Sequence, residues 1–413
     1  MENSSKRKLS LSAWIFIGMI SGIIVGLLFL DNPEFTTNYI KPIGTIYINL
    51  LKFLVVPVVL FSIIGGVISL QDLKRVGSIG WKTFVYYMLT TALAVGIGLT
   101  FANIFKGQFP ILETADASYE AATTKIMDVI VNIFPSNILT PMVNGEMLPV
   151  IVIAILLGSG ILLAGKKGQL IGDIVNSFYE VIMKVMMAVI KITPIGVFCL
   201  MCNVVAVNGP TIVGSLGIVI LVAYLAYITH IIVVYGLSVR FLSNMSPLAF
   251  FKGLAPAMIC AFTTSSSNAT LPLNIECCNK MGADPDVSSF VLPLGATINM
   301  DGTAIYMGVT SVFIASCYGV DLSLTQMGMI VITATLASIG TAGVSGAGMI
   351  MLAMVLESVG LPVAGIALIA GVDKIFDMGR TTLNITGDAT CAVFISKIES
   401  NKKSSNSEAV ETI

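Results

Sequence analysis

Long, mostly apolar runs separated by short polar stretches account for most of this chain. One run extends from Leu9 to Leu30, and others follow at roughly 43–70, 82–106, 126–165, 173–207 and 211–241. About 20 apolar residues suffice for a helix to cross a ~30 Å hydrocarbon layer, so these runs predict membrane-spanning helices. After residue 245 the pattern changes. Segment 246–279 is broken by Thr263-Thr264-Ser265-Ser266-Ser267-Asn268, and segment 324–357 by the glycine-rich stretch Gly340–Gly348. Neither half of either segment is expected to cross comfortably by itself, which favours helical hairpins that enter and leave on one side. Each hairpin precedes a helix with polar residues in its middle, Asn299-x-Asp301-Gly302 in one and Asn384-x-x-Gly387-Asp388 in the other. Lys252 and Lys280 flank the first hairpin, whereas Asp321 and Glu357 flank the second. The two units therefore start from opposite sides, as inverted repeats of a transporter do.

Composition narrows the class. Of 413 residues, 56% are hydrophobic and 11% charged, with a mean hydropathy of +0.94; soluble domains carry about 25% charged residues. The expected fold is an all-α polytopic membrane protein with eight transmembrane helices, two re-entrant hairpins and inverted repeats. Basic residues fall on alternate sides of the runs: Lys6, Arg7 and Lys8, then Lys74 and Arg75, Lys166 and Lys167, Arg240 and Lys252, and the tail lysines Lys397, Lys402 and Lys403. The loops near Asp31–Glu34 and Glu113–Glu120 are acidic. The positive-inside rule then puts both termini in the cytoplasm of a cell-membrane protein. The first run resembles a signal peptide but is long enough to span, and no small-residue cleavage site follows. A net charge of −1 argues against nucleic acid as a partner. The seven cysteines lie in or beside apolar runs and lack paired metal-ligand spacing, so they read as small core residues.

The polar interruptions carry the chemistry. A carboxylate at that depth costs about 2.5–3.5 kcal/mol on insertion scales, and is kept where something charged binds. In the last helix Asp373, Asp377, Arg380, Thr381, Asn384 and Asp388 share one face, opposite Ile375, Met378, Thr382, Leu383 and Ile385. An internal Asp–Arg pair that fixes helix packing is one reading. The excess of acceptors over one arginine points instead to cations, and an Asp beside an Arg to a zwitterion. Asn299, Asp301 and Thr303 alternate, so a shared site requires the helix to unwind, which Gly302 would ease. The alternative is a kinked helix whose Asp301 bonds a neighbour. Ser265-Ser266-Ser267 offers hydroxyls and free N–H groups at a helix start, suited to a carboxylate. The 340–348 glycines let backbone approach a ligand. Tyr87, Thr90 and Thr91 add hydroxyls on one face of the third helix, a pattern that also serves packing.

The combination of Ser265-Ser266-Ser267 with Thr270-Leu271-Pro272, Asn299-Met300-Asp301-Gly302-Thr303, the glycine-rich tip and Asp377-Met378-Gly379-Arg380-Thr381…Asn384…Gly387-Asp388 resembles the glutamate/aspartate transporter family, the dicarboxylate/amino acid:cation symporters. The resemblance covers nearly the whole chain. It implies sodium-coupled uptake of an acidic amino acid, a homotrimer in membrane lipid, and an elevator motion gated by the second hairpin. It also implies a scaffold over 1–245 with helices 3 and 6 moving with the core, a transport core over 246–398, and a cytoplasmic tail over 399–413. By the same resemblance, Asp377 holds the substrate α-ammonium and Arg380 its side-chain carboxylate. Ser266, Ser267, Thr303, Thr381 and Asn384, with the backbone of Val344 and Gly348, complete the pocket. Three Na⁺ sites are implied. One uses Gly295, Asn299, Asn384 and Asp388; a second Thr297, Ser338, Ile339 and Thr341; a third Tyr87, Thr90, Thr91, Asn299 and Asp301. Proton-driven relatives carry Asn at position 388, so Asp388 favours Na⁺.

The chain departs from the family in one respect. Archaeal members have an Arg where Ser265 stands, and animal members have one at the place of Met378. This chain has neither, and Lys374, three residues before Asp377, is the candidate to replace that charge. Other functions fit less well. Gly343-Val344-Ser345-Gly346 matches the G-x-S-G of intramembrane serine proteases, but the one histidine, His230, precedes it in an apolar run. No Walker-type loop is present for ATP-driven pumping. A carrier of neutral amino acids is opposed by Arg380, and a carrier of C4-dicarboxylates by Asp377.

Overall fold

The computed structural model describes residues 11–76, 78–112, 131, 134–144, 146–339 and 346–411. Lys6, Arg7 and Lys8, Glu113–Glu120, and the hairpin-tip residues Thr341, Val344 and Ser345 lie outside the described residues. Every regular element among the described residues is helical, as the apolar runs predict. We number the principal helices α1 (Leu11–Leu28), α2 (Lys41–Val76), α3 (Ser78–Phe105), α4 (Met147–Leu163), α5 (Lys166–Lys191), α6 (Thr193–Asn208), α7 (Thr211–Thr229), α8 (Gly236–Leu242), α9 (Pro247–Thr264), α10 (Ser267–Lys280), α11 (Pro285–Ile298), α12 (Asp301–Cys317), α13 (Leu324–Ser338), α14 (Ala347–Ser358), α15 (Ile366–Ala370) and α16 (Asp373–Glu411).

Among the described residues, four continuous helical stretches are long and apolar enough to cross a membrane: Pro33–Ile68, Ile79–Gln108, Thr211–Leu242 and Pro247–Thr264. The run expected at 173–207 is not one straight helix. It breaks at Ile192 into α5 and α6, which are bent by 50° and count as a fifth span if taken together. The cause is local: Pro194 sits in the first turn of α6, where its missing N–H is tolerated, and it cannot extend the hydrogen-bond ladder of α5. The first arm of the first hairpin also differs from expectation. Its 18 mostly apolar residues, Lys252, Thr263 and Thr264 among them, reach about 27 Å at 1.5 Å per residue, enough by length and composition to span alone.

Both interrupted segments nevertheless fold back on themselves. Cys260 meets Thr270 across α9 and α10, and Gly253 lies against the Met281 side chain. The reversal is made by Ser265 in the left-handed region (φ 51°, ψ 40°), followed by Ser266, whose hydroxyl caps α10 by accepting from Ala269 N at 3.3 Å. In the second hairpin α13 packs on α14, and Gln326 Nε2 donates to the Val359 carbonyl at 3.1 Å. A reciprocal capping box between Ser323 and Gln326 fixes the start of α13.

α12 forms the centre of the molecule. All its residues from Asp301 to Cys317 are buried, among α3, α7, α13, α14 and α16. Ion pairs hold α3 to this core at both ends, Lys82 with Glu399 (3.2 Å) and Lys106 with Asp321. A different contact joins α1 to α6. Gly18, Gly22 and Gly26, spaced four apart, lie on the backbone of Pro194, Phe198 and Cys202, spaced likewise. A Cβ on Gly22 would come within 2.7 Å of the Phe198 carbonyl oxygen. Without a hydrophobic drive between helices in lipid, such small-residue seams supply van der Waals contact.

Gly22→Leu is expected to force α1 off α6 and cost about 1–3 kcal/mol, the usual range for overpacking. Gly217→Ala, where an added Cβ meets nothing within 4 Å, should leave stability unchanged or slightly higher. Thermal unfolding of the two detergent-solubilised variants checks the contrast; equal melting shifts would rule out the seam as a close-packed contact.

Candidate functional site

The polar residues converge where the α11–α12 connection crosses α16. Helix α11 ends at Ile298, Asn299 (φ −92°, ψ 98°) is extended, Met300 (φ −121°, ψ 44°) is neither helical nor extended, and α12 resumes at Asp301. The unwinding expected from the alternating polar residues is therefore present, but Gly302 is not part of it. Gly302 lies inside α12, and a Cβ there would collide with the Arg380 backbone, its carbonyl carbon only 2.7 Å away. Its glycine identity serves the crossing of α12 over α16. The break exposes amides at the start of α12, and one is satisfied from the other helix: Asn384 Oδ1 accepts from Gly302 N at 2.7 Å.

Arg380 is the most heavily partnered side chain of the site and is 2% exposed. Its Nε donates to Asp377 Oδ1 at 3.0 Å and its Nη2 lies 2.8 Å from the same oxygen. Nη1 and Nη2 reach Asp373 Oδ1 and Oδ2 at 3.1 and 3.4 Å. The guanidinium also rests over the Tyr306 ring, 4.7 Å from its centre. The internal Asp–Arg pairing considered from the sequence is thus real, and it involves two carboxylates. Lys374 joins it, with Nζ 3.5 Å from Asp377 Oδ2. Gly348, at the start of α14, comes so close that a Cβ would fall on the guanidinium. Thr303 and Thr381 are buried on α12 and α16, and Ser267 is buried at the first residue of α10. That hairpin is tied to α16 further along, through Asn274 Nδ2 donating to the Ile385 carbonyl at 3.1 Å.

A second cluster lies one turn beyond. Asn299 Nδ2 donates to Asp388 Oδ1 at 2.9 Å and to the Asn384 carbonyl at 3.1 Å. Gly295 faces the same point; a Cβ there would run into Asp388 Oδ1 and lie 2.6 Å from the Tyr87 hydroxyl. The Asn299 Oδ1 atom is buried and has no hydrogen-bond partner among the described residues. A carboxylate with an unsatisfied amide oxygen is a donor set that suits a hard cation.

The third cluster surrounds Asp301, which is fully buried. Thr91 donates to Oδ1 at 2.6 Å, Tyr235 donates to Oδ2 at 2.7 Å, and His230 Nε2 lies 3.3 Å from Oδ2. Thr90 instead bonds the Tyr87 carbonyl at 3.2 Å, and the Tyr87 hydroxyl donates to the Val291 carbonyl at 3.1 Å. Sequence reasoning found Thr91 but missed Tyr235 and His230, which it left in an apolar run. The reason is geometric. Residues five apart lie about 140° from each other on an α-helix, but His230–Tyr235 is a π-helical turn, which brings both to one side. A His and a Tyr in an otherwise apolar membrane run were the available signal. No hydrogen bond among the described residues links Thr297 to Ser338 or Ile339. Their bonds are local, to Leu294, Thr335 and Leu336, while Thr341 and Val344 lie outside the described residues.

A helical membrane protein whose buried carboxylates meet at interrupted helices is built as a cation-coupled carrier. The description "Sodium:dicarboxylate symporter family" belongs to a family model that matches residues 11–398, and the chain belongs to that family. It is a transporter and not an enzyme. It is 36% identical to the Proton/sodium-glutamate symport protein of Geobacillus stearothermophilus over 403 residues, 95% of each chain. It is 35% identical to the Proton/glutamate-aspartate symporter of Escherichia coli (strain K12), over 95% of this chain and 93% of the other. A C4-dicarboxylate transport protein of Bacillus subtilis (strain 168) is 30% identical over 97% of each.

Arg380→Met leaves two buried carboxylates short of their main partner and is expected to destabilise by about 3–5 kcal/mol. Adding Asp373→Asn should restore part of that loss. Denaturant unfolding in detergent, followed by intrinsic fluorescence, measures both; a double variant no more stable than the single one would exclude Asp373 as a partner that matters.

Proposed function

We propose that the chain is a sodium-coupled symporter of aspartate or glutamate. The observation that carries this reading is the buried Arg380 beside Asp377, where the break between α11 and α12, helix α16 and the Gly348 backbone meet. An acidic amino acid presents one ammonium and two carboxylates. Asp377 takes the ammonium and Arg380 the side-chain carboxylate, as a bidentate fork suits. Thr303, Thr381 and Asn384, with Ser266 and Ser267 of the first hairpin and Val344 and Gly348 of the second, line the rest. Because Asp373 occupies the fork in this structure, the substrate carboxylate must displace it. Arg380 favours an acidic over a neutral amino acid because only a side-chain carboxylate gives its fork a ligand partner in place of Asp373.

Na⁺ is carried as co-substrate. Gly295, Asn299, Asn384 and Asp388 fit one ion by their spare oxygens. Asp301, Thr91, Tyr87, Thr90 and Asn299 fit another, with Tyr235 orienting the carboxylate. Thr297, Ser338, Ile339 and Thr341 form a third set beneath the second hairpin. The protein sits in the cell membrane with both termini cytoplasmic, with eight spans and two re-entrant hairpins. Residues 246–398 move as the transport core, α3 and the Thr211–Leu242 helix travel with it, and the rest of 1–245 forms the scaffold of a homotrimer. The ion pairs at both ends of α3 support that division. The second hairpin opens as the external gate of an elevator.

Uptake of radiolabelled aspartate into proteoliposomes tests the core of this reading. An inward Na⁺ gradient should drive accumulation, and uptake indifferent to Na⁺ would remove the coupling. Asp388→Asn should raise the Na⁺ concentration for half-maximal uptake by about tenfold or more, the cost of losing one close charge. Arg380→Cys should move preference to small neutral amino acids; retained aspartate selectivity counts against the role given to Arg380.

A further inference from the structure

The resting partners of the substrate-binding pair come from adjacent residues of one helix turn. Asp373 supplies a carboxylate to Arg380, and Lys374 supplies an ammonium to Asp377. Lys374 is 6% exposed, and the small gap beside it is lined by apolar residues of α1, α5, α15 and the second hairpin together with Thr193 and Asp373. A primary ammonium among such walls is held by a carboxylate or not retained. It contacts Asp377 at Oδ2, 3.5 Å away, whereas the guanidinium contacts described above are to Oδ1. An entering amino acid would place its own ammonium on that oxygen.

We propose that Lys374 is a specificity-determining residue whose ammonium, held on Asp377, stands in for the ammonium of an amino-acid substrate. The inference rests on the assignment of Asp377 and Arg380 as the pair that reads the substrate. Asp373, Lys374, Asp377 and Arg380 together carry two negative and two positive charges. A four-carbon dicarboxylate with no amino group leaves Asp377 without a ligand ammonium. Lys374 meets that need by neutralising Asp377. An amino acid, by contrast, must share Asp377 with Lys374 or displace it. The pocket therefore discriminates weakly between the two substrate classes, and Lys374 sets the ratio, because specificity is the difference between two affinities.

The test compares wild type, Lys374→Met and Lys374→Arg in proteoliposomes under a Na⁺ gradient, with labelled aspartate uptake competed by succinate. In wild type, succinate should compete at concentrations within about tenfold of aspartate's own. Lys374→Met should raise the succinate-to-aspartate ratio by at least about tenfold while aspartate uptake persists, and Lys374→Arg should change it less than about threefold. An unchanged ratio in Lys374→Met overturns the role of Lys374 and leaves the Asp377–Arg380 assignment standing. Wild type that takes up neither compound overturns that assignment and this inference with it. If Lys374→Met does not fold, protection of wild type from thermal unfolding by succinate decides; no protection at concentrations where aspartate protects overturns the proposal.

Discussion

Charge that is removed from water must be matched locally, because its attraction to distant partners cannot offset the lost hydration. Helix α16 carries Asp373, Lys374, Asp377, Arg380 and Asp388, all buried, within sixteen consecutive residues. The arrangement around it answers that demand. Asp373 and Asp377 share the fork of Arg380, Lys374 closes on Asp377, and Asp388 receives the Asn299 amide. Tyr306 offers its ring face to the guanidinium. Only close approach of neighbouring backbone brings these partners within reach, and Gly302, Gly348 and Gly295 are the positions where a Cβ would prevent it.

Two departures from regular helix supply what a regular helix could not. At Asn299–Met300 the chain leaves helical geometry, so that the Asn299 side chain reaches Asp388 while Asp301 points into a separate cluster. At His230–Tyr235 the ladder widens to a π turn, so that two residues five apart converge on Asp301. In water such irregularities are readily solvated. Within an apolar layer they persist only where protein groups take up the freed polar atoms. The amide of Gly302 illustrates this, being satisfied by Asn384 from the facing helix. The carboxylate of Asp301 and the break that presents it are thus parts of one construction.

The helical class, the two folded-back segments and the polar stripe of α16 were all legible as hydrophobic pattern, because membrane burial writes burial directly into composition. The unwinding before Asp301 was legible too, from the spacing of Asn299, Asp301 and Thr303. What could not be read was which partner satisfied which charge. The role of Gly302 was misjudged because a glycine near a break looks like the cause of the break, whereas helix crossing requires knowledge of the facing chain. The bend at Ile192 was signalled by Pro194 but hidden within a continuous apolar run. His230 and Tyr235 were hidden by an assumed helical period of 3.6, which a π turn does not obey. The Gly18, Gly22 and Gly26 seam needed the matching spacing on α6 to acquire meaning.

The contacts differ in kind across the molecule, and the difference bears on which parts can separate. The α1–α6 seam is backbone against small residues, with no room for a Cβ at Gly18, Gly22 or Gly26. The tethers from α3 to the core are ion pairs at its two ends, one of them with an exposed partner in Asp321. Between these regimes lies the small gap beside Lys374, walled by Ile15, Ile190 and Thr193 on one side and by Gly346 and Met349 on the other. Gly348 rests on the guanidinium of Arg380 with no room for a methyl group. Anything that enters to pair with Arg380 must therefore either lie along the face now held by Asp373 or lift the start of α14. A group placed on that face of the guanidinium and the start of α14 in its present position exclude each other by volume alone.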